Sequence, residues 1–209
     1  MMDEKEREYY LTWAMLKNFK KKISQAEEII KNALTITENF MISCSYGKDS
    51  IVLLDLVFRQ TKKCKVIHSD SGYQLPETYE VRENCEKVYG FKTIILPQLM
   101  QFEDFLREYG LPDINRTKAQ HKKVVEATKK NRLDELAKQH GAEGIFWGLR
   151  KEESKGRTML LCKEKIYYNK SRELWFSAPL ADWTANDIWA YIIANDLKYP
   201  AFYDKQNCG

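Results

Sequence analysis

The sequence predicts an α/β fold built on a parallel sheet, and three observations carry that prediction. Short strand-like runs, one opening at Phe40 and others at 65–70, 92–96 and 144–147, alternate with longer segments of helical periodicity. Strands spaced this way imply parallel β-α-β crossovers. The first run, which opens at Phe40, passes through a tight turn at Gly47 into a helix that begins near Asp49. That turn falls at the carboxyl edge of the sheet, where such folds hold their ligands.

Residues 1–36 read as an N-terminal helical arm and 37–209 as the α/β domain. Tyr9, Trp13, Leu16, Phe19 and Ile23 recur at helical spacing, which predicts a first helix to about residue 22 with these side chains on its packed face. Ser24-Gln25-Ala26-Glu27 reads as a capping box that restarts a helix through about Leu34. The expected role is an amphipathic arm packed on the sheet or on a partner subunit. Lys17, Lys20, Lys21 and Lys22 are expected on a solvated face, with weak nucleic-acid contact as the alternative.

The turn after the first strand, Ser45-Tyr46-Gly47-Lys48-Asp49-Ser50, has the chemistry of a phosphate cradle. Unpaired amides at a helix N-terminus point at whatever occupies the turn, and the helix dipole favours negative charge there. Ser45 and Ser50 add hydroxyls, Gly47 admits close approach of the backbone, and Lys48 adds a mobile charge. The common P-loop is excluded, because position 42 is Ile and position 49 is Asp where that motif needs Gly and Ser or Thr.

The second strand, Lys65–Asp70, runs into Ser71-Gly72-Tyr73-Gln74-Leu75, and a helix is predicted from Pro76 to about Tyr89. Pro suits a helix's first turn, and Glu77 behind it complements the dipole. A third strand follows Gly90, and 98–141 read as mostly helical with a break at Gly110–Asp113. The basic stretch Arg116–Lys123 is expected on a solvated helix face, and His121 and His140 show no metal-ligand spacing.

The fourth strand, Gly144–Trp147, leads into Gly148-Leu149-Arg150 and on to Ser154 and Arg157. Arginines at a parallel strand's carboxyl end suit bidentate recognition of phosphate or sulfate. Lys165–Tyr168 and Leu174–Phe176 bracket a predicted hairpin. Thr184 and Asp187 form a further helix cap, and Trp183 and Trp189 are expected in the core.

At 209 residues, with 44% hydrophobic and 31% charged, the composition is that of a soluble globular chain. No apolar run approaches the roughly 18 residues of a membrane span, and Met-Met-Asp-Glu-Lys-Glu-Arg-Glu is too charged for a secretory signal. A cytoplasmic protein is expected. The five cysteines contain no C-x-x-C pair, so the first four are expected as reduced, mostly buried thiols, with neither an iron–sulfur cluster nor a protein-held metal.

Four blocks now stand in order: S-Y-G-K-D-S at 45–50, D-S-G-Y-Q-L-P-E-T at 70–78, G-L-R-K-E-E-S-K-G-R at 148–157, and P-L-A-D-W-T-x-x-D-I-W at 179–189. With L-K-Y-P-A-F-Y-D at 197–204, the chain from about residue 25 resembles the phosphoadenylyl-sulfate (PAPS) reductase family within the N-type ATP pyrophosphatases. The resemblance implies a Rossmann-like sheet of about five strands in the order 3-2-1-4-5, with helices on both faces. It implies that Ser45, Gly47, Lys48, Asp49 and Ser50 hold phosphates, with Asp70, Ser71 and Gly72 beside the nucleotide. Arg150 and Arg157 are implied at the sulfate or pyrophosphate end, and Tyr46, Glu77, Gly148 and Ser154 complete the expected binding set.

The loop is a hybrid, with an aromatic at 46 as in the reductases and Lys48-Asp49-Ser50 as in ATP-cleaving members. The resemblance implies ATP with Mg²⁺ on its phosphates, or adenylyl sulfate (APS) or PAPS. The preferred expectation is cleavage of ATP at the α-phosphate, with Lys48, Asp49, Arg150 and Arg157 as the catalytic set. The alternative is thiol-dependent reduction of APS or PAPS by Cys208, either a shortened version of the family's cysteine tail or the stub of one that continues in longer relatives. A non-catalytic nucleotide-binding subunit is the third reading. Expected partners are the nucleotide, a protein partner or thioredoxin-like reductant, and a second copy of the chain.

Overall fold

A computed structural model describes residues 2–70, 72, 74–98, 102–110, 117, 119–120, 132–162 and 164–206. Six strands form one sheet: β1 (Phe40–Ser43), β2 (Lys65–Ser69), β3 (Thr93–Leu96), β4 (Gly144–Trp147), β5 (Ile166–Asn169) and β6 (Leu174–Ser177). Their order is β3-β2-β1-β4-β6-β5. Five of them are parallel, in the expected succession, and β5 pairs antiparallel with β6 at the edge. The expected count of about five is therefore one short, because the predicted hairpin adds its first strand outside its second. Asn169 makes the turn locally: its Oδ1 accepts from the backbone N–H groups of Ser171 and Arg172, each at 3.1 Å.

The central strands are apolar on both sides because helices cover both faces. On one face Phe40, Ile42, Val66 and Phe146 pack with α2 (Lys17–Ile36), α3 (Lys48–Gln60) and the helix Ala185–Ala194. On the other, Met41, Ile67, Ile145 and Phe176 meet Ala137 of the helix Arg132–Gln139. Alternation along β1, Phe40 and Ile42 one way and Met41 the other, thus feeds two cores. Helix α3 lies deep between layers, with Ile51 to Leu54 and Leu56 to Phe58 all buried. Numbering onward, α4 is Pro76–Tyr89, α5 Phe102–Tyr109, α6 Arg132–Gln139, α7 Lys155–Leu161, α8 Ala185–Ala194 and α9 Phe202–Gln206. Pro76 opens α4 as expected, and Gly90 closes it in the left-handed region at φ 72°.

The arm departs from its expected division. Asp3 and Glu6 form the capping box of α1 (Glu4–Met15), and the break falls at Leu16, where the backbone turns extended. Ser24 caps nothing; it lies inside α2, its hydroxyl donating to the Lys20 carbonyl at 3.3 Å. The helix continues through it because Phe19, Ala26, Ile30 and Ala33 fall on one buried face, and that burial outweighs a local capping preference. Tyr9 and Leu16, expected on the packed face, are exposed. Lys22 leaves the solvated set, for its Nζ lies 2.5 Å from Asp187, to which the Trp13 indole also donates at 2.9 Å. Asp187 closes the expected capping box with Thr184 at the head of α8, and Trp183 and Trp189 are buried. Gly110 ends α5 at φ 70°, and the basic stretch at Arg116, Lys118 and His121–Lys123 lies outside the described residues.

Candidate functional site

The cradle forms where β1 ends and α3 begins. Gly47 is the N-cap, and Lys48 is the first residue of α3. Ser50 is buried; its hydroxyl reaches the Gly47 carbonyl at 3.0 Å and the Ser45 hydroxyl at 3.2 Å. The Gly47 N–H donates to Ser45 Oγ at 3.4 Å. The turn is held open by Tyr46, a non-glycine residue in the left-handed region at φ 59°. Such a conformation costs about 1–2 kcal/mol, and the Tyr46 ring offsets it by complete burial, edge-on to His68 and hydrogen-bonded to Thr93 at 2.5 Å. Burial pushes its phenol pKa up. The Tyr46 side chain is therefore an anchor in the core, and only its backbone belongs to the cradle.

His68, which the sequence reading did not single out, braces the same turn. Its Nδ1 meets the Cys44 carbonyl at 2.7 Å and its Nε2 the Gln74 amide at 2.9 Å. Burial lowers its pKa, with the Cys44 carbonyl and Asp70 opposing, so a neutral imidazole donates from Nδ1 and accepts at Nε2.

The second wall comes from β4. Gly148 lets the strand's end approach α3 closely: a Cβ there would lie 3.3 Å from the Asp49 carbonyl oxygen and 3.4 Å from Ser50 Cα. Arg150, with only 5% of its side chain exposed, pairs through Nε with Asp49 and through an NH1 group with Glu152. Its own backbone N–H donates to Glu153 at 2.8 Å, and Glu153 pairs with Arg157. Lys48 Nζ sits on Asp49 at 2.6 Å. Three cations and three carboxylates thus form one paired set between the two walls. Ser154 caps α7, accepting from the Arg157 N–H at 3.2 Å.

Between the walls lies a cleft of about 530 Å³. Ser43, Ser45, Gly47, Asp49 and Ser50 line it from the first wall, and Trp147, Gly148, Leu149, Glu153 and Arg157 from the second. Tyr203 of α9 closes the end. It stands at the carboxyl ends of β1 and β4, where the strand order reverses, the expected place for a ligand in a doubly wound sheet. The structure therefore brings together Ser45, Gly47, Asp49, Ser50, Gly148 and Arg157 of the expected set. Lys48 and Arg150 act on Asp49 without lining the cleft, and Ser154 acts only as a cap. Asp70 serves its own turn: it accepts from the Gly72 N–H at 2.8 Å and the Tyr79 hydroxyl at 3.1 Å, with Arg82 at 3.7 Å. Neither Asp70, Gly72 nor Glu77 is on the cleft wall. Ser71 and Cys208 lie outside the described residues.

Trp147 lines the cleft though no motif marked it, and Leu149 and Tyr203 line it too, inside the 148–157 and 197–204 blocks where neither was singled out. Burial pushes the thiols of Cys44 and Cys64 up to about 12, and that of Cys85 upward too, so none is a ready thiolate. Cys162, expected among mostly buried thiols, is exposed. Among the described residues no three His, Cys, Asp or Glu side chains gather to hold a metal, and no helix is long and apolar enough to cross a membrane. The carboxylates of Asp49 and Glu153 on the cleft wall fit a hard cation that is bound mainly by phosphates rather than by a protein cage.

Residues 39–207 match the family model described as phosphoadenosine phosphosulfate reductase domain. The chain is 28% identical over 174 residues to adenosine 5'-phosphosulfate reductase 2 of Bacillus subtilis, covering 82% of this chain and 70% of that one. It is 26% identical over 208 residues to sulfate adenylyltransferase subunit 2 of Shewanella loihica, covering 86% of this chain and 65% of the relative. A PAPS reductase structure from Candida auris, in a phosphate complex, superposes with TM-score 0.67 at 19% identity over 99% of this chain and 93% of that one, which is a likeness of fold.

Proposed function

Because the chain belongs to the phosphoadenosine phosphosulfate reductase domain family, we propose that it is an adenine-nucleotide enzyme of sulfur metabolism that cleaves ATP at the α-phosphate. The observation that carries this reading is the mixed charge of the cleft, where Asp49 and Glu153 share the wall with Gly47 and Arg157. Both carboxylates are already paired, Asp49 with Lys48 and Arg150 and Glu153 with Arg157, so the wall offers little net positive charge to a bare anion and suits a polyphosphate that brings its own divalent cation. A magnesium ion on those phosphates would supply charge neutralisation at the leaving group.

The chain's own groups do the rest. An oxyanion acceptor attacks the α-phosphorus, the bond to the bridging oxygen breaks, and pyrophosphate leaves with the electron pair. The α3 amides and the Ser45 and Ser50 hydroxyls hold the pyrophosphate, where charge develops in the transition state. Arg157 adds a guanidinium to the same end once it exchanges Glu153 for phosphate. Lys48 exchanges Asp49 for the leaving pyrophosphate, while Arg150 keeps Asp49 in position. Relatives named as sulfate adenylyltransferase subunits make a protein partner part of this proposal.

A second reading, reduction of APS or PAPS, is favoured by Tyr203 on the cleft wall, since Cys208 follows it by five positions. Five residues reach at most about 17 Å. In that reaction a Cys208 thiolate attacks the sulfonate sulfur, AMP or its 3'-phosphate leaves, and a thiol reductant then releases sulfite from the sulfonated cysteine. Presenting the protein with ATP, APS and PAPS separately and identifying the products decides between them. Pyrophosphate from ATP is the expected result, and sulfite from either sulfonucleotide would establish the reductase instead.

A further inference from the structure

We infer that Trp147 is the aromatic surface on which the nucleoside end of the nucleotide rests, and that Arg172, clamped by Asp134, is the positioning residue that fixes the indole there. The inference rests on the nucleotide reading and adds the side chains that reach beyond the phosphates.

Most of the cleft wall is hydroxyl, carboxylate, glycine and guanidinium. Among the described residues, two aromatic side chains line it, Trp147 and Tyr203. Tyr203 belongs to the cradle end, for a Cβ on Gly47 would lie 3.1 Å from its hydroxyl oxygen. Trp147 ends β4 in register with Ser43, the last residue of β1, and so stands at the sheet edge before the turn that makes the cradle. A ligand whose phosphates sit on the α3 amides brings its base or ribose to a neighbouring wall. An indole offers that part a flat apolar face of the kind on which bases stack.

Three other elements hold this indole. Phe176 of β6, fully buried, packs on it with ring centroids 4.3 Å apart. The Arg172 guanidinium, from the turn between β5 and β6, lies 4.9 Å from the indole centroid and 4.3 Å from that of Phe176. Arg172 is itself fixed at both ends. Its backbone N–H donates to Asn169 Oδ1 at 3.1 Å, and its Nε and an NH2 group pair with the two oxygens of Asp134 on α6. Asp134 is 3% exposed. A carboxylate taken that far out of water is costly, and a two-pronged arginine offsets the cost while fixing its own plane. Neither Arg172 nor Asp134 lines the cleft, so the pair acts on a ligand through Trp147. A half-buried indole packed on Phe176 alone would have rotamers to lose on binding. The cation over its ring restricts them beforehand, and a wall already in place loses less freedom when the ligand arrives.

Four proteins are titrated with ATP and with tripolyphosphate, both in magnesium: the wild type, Trp147→Ala, the paired substitution Asp134→Asn with Arg172→Gln, and all three changes together. The paired substitution removes the cation and leaves no buried charge unpaired. Trp147→Ala should bind ATP about tenfold more weakly, the worth of one stacked base, with tripolyphosphate affinity unchanged. The paired substitution should weaken ATP about two- to tenfold, the cost of ordering one side chain, and do nothing further on the Trp147→Ala background. General loosening of the fold would instead weaken ATP on either background. Should the paired substitution fail to melt cooperatively, Arg172→Lys, which keeps the charge and loses the fork, is read through the same cycle with the same expectation. Equal loss of ATP and tripolyphosphate in Trp147→Ala overturns the inference by making the indole a prop of the cradle. Unchanged ATP affinity in Trp147→Ala, or a positioning change that is equally harmful on both backgrounds, overturns it too, and each leaves the nucleotide reading intact. If the wild type binds none of ATP, APS and PAPS, the nucleotide reading falls and this inference falls with it.

Discussion

Each cation at the phosphate end already has a carboxylate: Lys48 sits on Asp49, Arg150 on Asp49 and Glu152, and Arg157 on Glu153. Anion binding there exchanges partners instead of stripping water from bare charges, so a single cation contributes modestly. Replacing Lys48 with Ala should weaken ATP binding about tenfold, or about 1.4 kcal/mol, and leave the melt unchanged, because Arg150 still holds Asp49. Calorimetry beside a thermal melt checks this, and unchanged affinity with an intact fold would return Lys48 to the status of a surface residue. Arg150 is a different case. Its side chain is 5% exposed, and Arg150→Ala leaves Asp49 with Lys48 alone and takes from Glu152 its paired guanidinium. Breaking a buried pair in this way costs about 3 kcal/mol, which a urea denaturation curve will show. Arg150→Lys should rescue little, since one ammonium cannot present the Nε and NH1 donors to two carboxylates at once.

The helices show where local sequence decides and where packing does. Two Ser/Thr-x-x-acid patterns looked alike in the sequence, and only Thr184–Asp187 became a cap. At Ser24 the periodic burial of Phe19, Ala26, Ile30 and Ala33 carries α2 straight through, a contest that no four-residue window records. The real break at Leu16 has no glycine or proline to announce it. Asp187 then joins both elements, capping α8 while it binds Trp13 and Lys22 of the arm. Burial pushes its pKa up, but Lys22, Thr184 and Trp13 outweigh that and hold it below the ordinary value. A depressed carboxylate contributes stability that is present above its unfolded value of about 3.9 and is lost as pH falls through the folded value. Asp187→Asn should cost about 2 kcal/mol at pH 7 and flatten the loss of stability below about pH 4. Urea melts of both proteins at pH 7 and pH 3 test it; parallel curves across that range would show that the arm does not depend on this charge.

At the scale of the molecule, the sheet was legible because parallel strands are short apolar runs, and the switch point followed from where those runs end. The hidden parts are contacts between distant segments: Trp147 on the cleft wall and Tyr203 on the Gly47 cap come from packing, and Tyr46 turns into the core instead of the cleft. The same long-range closure bears on which reaction the cleft serves, since it brings the segment before Cys208 to the phosphate cradle. A serine cannot replace a thiolate nucleophile near neutral pH, because its ionised fraction is negligible and its oxygen is far less reactive towards sulfur. If the protein cleaves ATP, Cys208→Ser leaves pyrophosphate–ATP exchange largely intact, while Lys48→Ala lowers it about tenfold, in line with its expected effect on ATP binding. If it reduces a sulfonucleotide, Cys208→Ser abolishes sulfite release in the presence of reduced thioredoxin while nucleotide affinity survives. We expect the first pattern. Sulfite release by the wild type that disappears in Cys208→Ser would sink the ATP mechanism and leave the fold, the cradle and the nucleotide site standing.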